Sequence, residues 1–322
     1  MKSGIPVLLA AIIILVCGCT DNKEQENNLI SISGAFALYP LAKKWAEEYN
    51  KIHPDVKFNI QAGGAGKGLL DVTSGAVNVG MFSREIGDEE KYKAIWWIAL
   101  CKEAVLPTVN SANPYIDIIH RRGLTKEEFK SIFINGQPSA WDSLLVGSTN
   151  ESHPINVYTR KDAAGSAESW ASWFGMKQSD LRGTAVSGDS SLSDTIKKDM
   201  LAIGYCNSVF VFDNFSGEKY AGIDVVPIDL NNNGKIDKDE NFYNDISDFL
   251  EAVHSGKFPS PPARNLYFIT RERPTDPKIL DFFKWVMTEG QKFVHNTGYV
   301  PLEHDLLLEN LRKVDPNVTY GY

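Results

Sequence analysis

The sequence predicts an α/β protein whose parallel sheet is covered by helices. Three observations support this. Short apolar, strand-like runs alternate with segments of helical periodicity along most of the 322 residues. At three places a turn of Gly, Ala or Ser joins such a strand to such a helix. The composition, 43% hydrophobic and 23% charged, can fill one large core or two medium ones. Roughly 100 to 200 residues per domain favours two.

In chain order, residues 29–33 read as a strand and 40–49 as a helix, with Pro40 in a first turn where its missing N–H costs nothing. Residues 56–60 form the next strand, about 67–74 the next helix, and 77–82 a third strand. Residues 97–109 are apolar, extended and long enough to cross between two lobes. Residues 124–133 are amphipathic and open on a capping box, Thr125 with Glu128 three residues later. Runs 155–158, 200–207, 209–212 and 266–270 read as strands, and 278–288 as a helix. No repeat or low-complexity tract interrupts this order.

The formal charge of -8 argues against nucleic acid, whose partners present basic stripes. Any anion bound here is therefore captured locally. The N-terminus carries Lys2 and an apolar run from Ile5 to Val16, too short to span a membrane and suited to a secretory signal. Val16-Cys17-Gly18-Cys19 then resembles a lipoprotein cleavage box: residues 1–18 would be removed, Cys19 lipidated, and 19–28 would form the lipidated end and a polar tether. Cys101 and Cys206, far apart in apolar runs, read as buried free thiols.

The stretch GGAGKGLL, residues 63–70, looks at first like a nucleotide-binding phosphate loop. That loop needs a Gly four residues ahead of its Gly-Lys pair and a Ser or Thr after it; Gln61 and Gly68 stand there. A small-residue turn opening a helix nevertheless aims free N–H groups at an anion. Residues 33–40 (SGAFALYP) and 160–166 (RKDAAGS) repeat the design, so three helix starts converging on one cleft would hold an oxyanion largely by neutral dipoles. Arg160 would add one full charge as a fork matched to two oxygens, with Asp162 orienting it; an isolated pair of this kind could equally be a surface ion pair. Ser166 serves either ligand or helix cap. Lys67 either reaches the anion or is solvated. Ser83 ends a strand at the same sheet edge, where open α/β sheets bind ligands.

Taken together, SGAFALYPLAKKWAEEY, GGAGKGLLDVTSGAVNVGMFSREI, LTKEEFKSIFINGQPSAW, RKDAAGSAESW, AIGYCNSV and GQKFVHNTGYVPL resemble the phosphate-binding lipoproteins of ABC phosphate importers, in order and spacing, from about Leu29 to Leu302. The resemblance implies a two-lobed, type II periplasmic-binding-protein (Venus-flytrap) fold with two hinge-crossing segments. Lobe one would be 29–107 plus 265–322, and lobe two 108–264. It also implies phosphate held without catalysis by Ala35, Phe36, Ala65, Gly66, Lys67, Ser83, Arg160, Ala164, Gly165 and Ser166, then delivered to a permease. Ala35, Phe36 and Ala37 stand where members often carry Ser or Thr, and Ala65 and Ala164 where they often carry Ser, while members have Asp or Ser at the position of Ser83. A carboxylate there would reject sulfate, which brings no proton, so other tetrahedral oxyanions stay open for this chain.

Outside that pattern, residues 229–240 match the calcium loop D-x-[DN]-x-[DN]-G-x5-E. Asp229, Asn231, Asn233, the Lys235 carbonyl, Asp237 through water, and Glu240 would be the ligands of a structural calcium ion in lobe two. A solvated Asn-Gly turn is the plain alternative. No organic cofactor is expected. The leading expectation is a monomeric, extracytoplasmic, lipid-anchored receptor that passes phosphate to an ABC importer permease. A surface sensor or interaction lipoprotein with the same fold is the alternative. A metal-dependent phosphatase is disfavoured because the histidines, at 53, 120, 153, 254, 295 and 304, are scattered.

Overall fold

A computed structural model gives the structure and describes residues 28–88, 95–147 and 152–318. The expected signal, Cys19 and most of the tether lie outside these residues. Among the described residues nine strands form: β1 (Leu29–Gly34), β2 (Lys57–Ala62), β3 (Val79–Phe82), β4 (Trp96–Asn110), β5 (Asn156–Arg160), β6 (Thr184–Val186), β7 (Ala202–Asn207), β8 (Ile223–Val225) and β9 (Ala263–Thr270). Their spatial order is β2-β1-β3-β9-β4-β7-β5-β6, with β8 also on β4.

The parallel pairing that the alternation predicts occurs twice, in β1 with β2 and β3, and in β5 with β6 and β7. Between the two parallel units run β4 and β9, antiparallel to each other from Trp96↔Thr270 to Ala104↔Ala263. Each half therefore closes around its own core, and only these two strands are shared. One core gathers Trp45, Tyr49, Phe82, Phe268, Phe282 and Phe283, the other Phe129, Phe133, Trp141, Trp170, Tyr205 and Phe249. Along the chain the first changeover falls between Cys101 and Ala104 and the second between Ala263 and Leu266.

Local chemistry explains the main helices. In Tyr39–Asn50 the buried residues Leu41, Ala42, Trp45, Ala46 and Tyr49 recur at helical spacing, and Trp45 Nε1 donates to the Gly290 carbonyl at 2.8 Å. The Thr125–Glu128 capping box forms as read from the sequence, opening Lys126–Lys130, which continues as a π-helical turn over Ser131–Asn135. Asp245 caps Ile246–His254 by accepting from the Ser247 and Asp248 amides. Cys101 and Cys206 are buried free thiols.

One expected strand is absent. Residues 209–212 fall in and just after a 3-10 turn, Ser208–Phe210, because Val211 and Phe212 return their amides to the Ser208 carbonyl. Their apolar character serves burial in a corner between the lobes, and apolar character alone does not distinguish a buried turn from a short strand.

The register of β4 on β9 slips between Ala99 and Cys101. The Ala99 amide, in a core position, is taken at 2.8 Å by Asn310 Oδ1 from the C-terminal helix His304–Val314. Asn310→Ala leaves that buried donor unpaired, so chemical denaturation is expected to show a loss of about 1 to 3 kcal/mol. A change of only a few tenths would mean that water replaces the amide.

Candidate anion-binding site

The strands that end in the three turns run toward each other from the two lobes, β1 and β2 in the direction of β4 and β5 against it, so the turns face across the junction of the lobes. Gly34 ends β1 and leads into the 3-10 turn Phe36–Leu38; Ala62 ends β2 and leads into the helix Ala65–Ser74; Arg160 ends β5 and leads into the helix Gly165–Trp173. Ala35, Ala65, Ser83, Arg160, Ala164 and Ser166 are all buried where these ends converge. The first amides of each helix have no partner in their own helix, which leaves N–H groups at this junction. Some are already committed: Ala35 donates to the Met81 carbonyl at 2.9 Å, Gly66 to the Ala163 carbonyl across the cleft at 3.3 Å, and Ala164 to Gln178 Oε1 at 3.0 Å.

The second turn is not a phosphate loop, for a steric reason. A Cβ on Gly68 would lie 2.7 Å from the Met81 carbonyl oxygen and 2.9 Å from the Gly34 Cα. The helix packs its first turn directly on strand backbone, and no Ser or Thr fits there. Lys67 turns away as well: its Nζ pairs with Asp71, one turn along the same helix, and Asp71 also accepts from Ser33 Oγ at 2.6 Å.

Arg160 is the centre of the site. Its side chain is 0% exposed, with Nε donating to Asp162 Oδ1 at 3.1 Å, Nη2 to Asp162 Oδ2 at 2.5 Å, and Nη1 to Ser166 Oγ at 3.2 Å. Asp189 Oδ1 lies 2.5 Å from Nη1 and accepts from Ser166 Oγ at 2.9 Å. The guanidinium carbon stands 5.4 Å from the centre of the Phe36 ring, which joins the lobes by a cation–π contact. Burial opposes the charge on Arg160, but Asp189 and Asp162 outweigh it and raise its pKa above the ordinary value. Burial likewise opposes ionised Asp162, yet Arg160 and the Gly188 amide hold its carboxyl below the usual range. Asp162 thus orients Arg160, while Gln178 Nε2 fixes the turn by donating to the Asp162 carbonyl at 2.7 Å.

Asp189 and Gln178 escaped the sequence reading. A signal for Asp189 existed: 184–191, TAVSGDSS, is a fourth strand, small turn and helix start of the same construction, realised as β6 and the helix Asp189–Lys198. Gln178 carries no such pattern. Behind the site, Glu103 and Arg264 face each other on β4 and β9 and are ion-paired, and Arg264 Nη1 donates to the Gly165 carbonyl at 3.1 Å. Burial pushes the Glu103 carboxyl up to about 8, with Arg264 restoring only part of its acidity.

The loop 229–240 is closed on itself by its own carboxylates. Gly234 takes φ +80°, the Asn233 and Gly234 amides donate to the two Asp229 oxygens at 3.1 and 2.8 Å, and Glu240 accepts from the Leu230, Asn231 and Asp237 amides. Lys235 Nζ lies 2.6 Å from Asp237 Oδ1, and the Asn231 and Asn233 side-chain amides point to Asp237 Oδ2. Among the described residues no group of three or more His, Cys, Asp or Glu is gathered as a metal site, so the Asn oxygens and a carbonyl would have to complete one.

Lobe contact depends on Gly165. A Cβ there would fall 2.2 Å from both the carbonyl oxygen and Oγ of Ser83 in the other lobe. Gly165→Ala is therefore expected to hold the lobes apart and to enlarge the radius of gyration in small-angle X-ray scattering. An unchanged value would mean that the lobes meet without this contact.

A profile of the PBP superfamily domain matches residues 21–289. Phosphate-binding protein PstS of Xylella fastidiosa is 25% identical over 320 residues, covering 89% of this chain and 86% of that one. Phosphate-binding protein PstS of Pseudomonas aeruginosa is 25% identical over 297 residues, covering 86% and 84%. Among solved structures, a putative phosphate ABC transporter substrate-binding protein with bound phosphate from Clostridium perfringens superposes with a TM-score of 0.68 at 21% identity, covering 86% of this chain and 100% of that one. The profile covers most of the chain, and the chain belongs to the PBP superfamily.

Proposed function

We propose that the chain is a phosphate receptor of an ABC importer: it closes its lobes over an inorganic oxyanion, phosphate first, and hands it to a permease. The observation that carries this reading is Arg160, a dry guanidinium at the junction of several helix starts, oriented by Asp162 and covered by Phe36 from the opposite lobe. Such a group is matched to two oxygens of a tetrahedral anion, and the surrounding amides add neutral dipoles. The relatives named for phosphate binding support the choice of ligand. Closure selects the form that a permease would recognise. No catalysis is assigned. The receptor works as a monomer outside the cytoplasm, held to the membrane by lipid on Cys19, and does not bind nucleic acid. Among the described residues no helix is long and apolar enough to cross a membrane.

We further propose that 229–240 binds calcium as a structural clip in lobe two. What supports it is the pair Asp229 and Glu240, buried carboxylates at the first and last ligand positions that have backbone amides for partners. The expected affinity is weak, roughly 10⁻⁴ to 10⁻³ M.

Calorimetric titration of the ligand-stripped protein with phosphate tests the first reading. Arg160→Ala is expected to weaken phosphate binding by about 100-fold or more, because it removes the charge and strands two carboxylates; unchanged affinity would sink the site. For the loop, calcium is expected to raise the melting temperature of the parent and not of Glu240→Ala, and a parent that ignores calcium refutes the clip.

A further inference from the structure

Arg160 stands where its own strand parts from a neighbour. β5 pairs in parallel with β7 at Asn156↔Ala202 and Val157↔Ile203, and its last three residues lie past that ladder. On the other side they pair with β6, from Tyr158↔Thr184 to Arg160↔Val186. Successive amides of a strand point to opposite neighbours, and the Lys161 amide goes to the Val186 carbonyl at 2.9 Å, so the Arg160 amide faces the β7 side. A buried amide needs an acceptor, and here a side chain supplies it. The Tyr205 hydroxyl, from β7, takes the Arg160 amide at 3.1 Å and shares a second hydrogen bond with Thr159 Oγ1 at 2.7 Å.

The tyrosine is itself fixed by its neighbours. It is fully buried, its ring is stacked on Trp170 with centres 5.8 Å apart, and it meets the Phe133 ring edge-on at 5.9 Å. Trp170 lies on the helix Gly165–Trp173, whose first turn carries Ser166, the acceptor for Arg160 Nη1. One side chain therefore ties the arginine backbone to a helix that opens on the same cleft. Asp162, Ser166 and Asp189 hold the far end of the Arg160 side chain, and Tyr205 holds its root. Burial raises the Tyr205 pKa above its ordinary value, so the group stays a neutral hydroxyl that accepts and donates at once. A fork matched to two oxygens tolerates little displacement, which makes the root of the side chain matter to what its tip can do.

We propose that Tyr205 is a positioning residue of the anion site: its hydroxyl replaces the neighbouring strand as acceptor for the Arg160 amide, fixes where the arginine leaves the sheet, and thereby sets the guanidinium for an oxyanion. The proposal rests on the reading of the cleft as an oxyanion site and adds to it a residue that acts through Arg160 without being among the ligand-binding positions. Phe in place of Tyr205 keeps the ring and its packing on Trp170 and Phe133 while removing both hydrogen bonds, so the Arg160 amide is left buried without its acceptor.

The test is a double-mutant cycle, read by calorimetric titration with sodium phosphate alongside the melting temperature of each ligand-free chain. Tyr205→Phe is expected to weaken phosphate binding by about tenfold in the parent and by less than about twofold in Arg160→Ala, because without the guanidinium nothing is left to position. An equal loss in both backgrounds makes Tyr205 a structural residue of its lobe and overturns the proposal. An unchanged affinity of Tyr205→Phe overturns it too, whatever the melting temperature does. If Tyr205→Phe does not fold, or Arg160→Ala leaves no binding to compare, amide hydrogen exchange of the ligand-free parent decides: the Arg160 amide is expected to exchange about 100-fold or more slowly than an exposed amide, and exchange at the exposed rate means that Tyr205 does not hold it. Each overturning result leaves the phosphate reading standing as long as the parent binds phosphate. A parent that binds none removes the reading and the proposal together.

Discussion

Everything in this molecule hangs on the antiparallel pair β4 and β9. β4 pairs with β7 and β8 in one half and with β9 in the other, and β9 joins it to β3, so the register of this pair fixes how one lobe sits on the other. The same register sets Glu103 opposite Arg264 in the interior, where the arginine reaches the Gly165 carbonyl at the start of an anion-facing helix. A hinge made of paired strands differs from a flexible linker: it bends and twists as a ribbon while its hydrogen bonds keep the lobes in alignment. The slip at Ala99 and Cys101 is a departure from regular pairing within this ribbon, and Asn310 satisfies the amide beside it.

The candidate anion site lies in an acidic protein. Long-range attraction is absent, because the chain carries a formal charge of -8. What an anion would meet here is short-range: helix starts and one guanidinium held by Asp162, Ser166 and Asp189. Burying that guanidinium requires partners, and two carboxylates and a hydroxyl supply them. The arrangement gives rigidity at the expense of positive charge.

Apolar periodicity and turn chemistry by themselves determined a large part of the structure. The alternation of strands with helices gave the parallel units, residues 97–109 gave the crossing strand, and Thr125 with Glu128 gave a helix start, because each depends on contacts within a few residues. Three helix starts and the Arg160–Asp162 pair were legible in the same way. Tertiary structure decided the rest. It turned 209–212 into a buried corner, drew Lys67 to Asp71, gave the Ala164 amide to Gln178, and set Asp189 against Arg160 across 29 positions of sequence. Those outcomes depend on which faces meet when two lobes fold around a shared ribbon, and a contact between residues far apart in sequence leaves no local pattern to read.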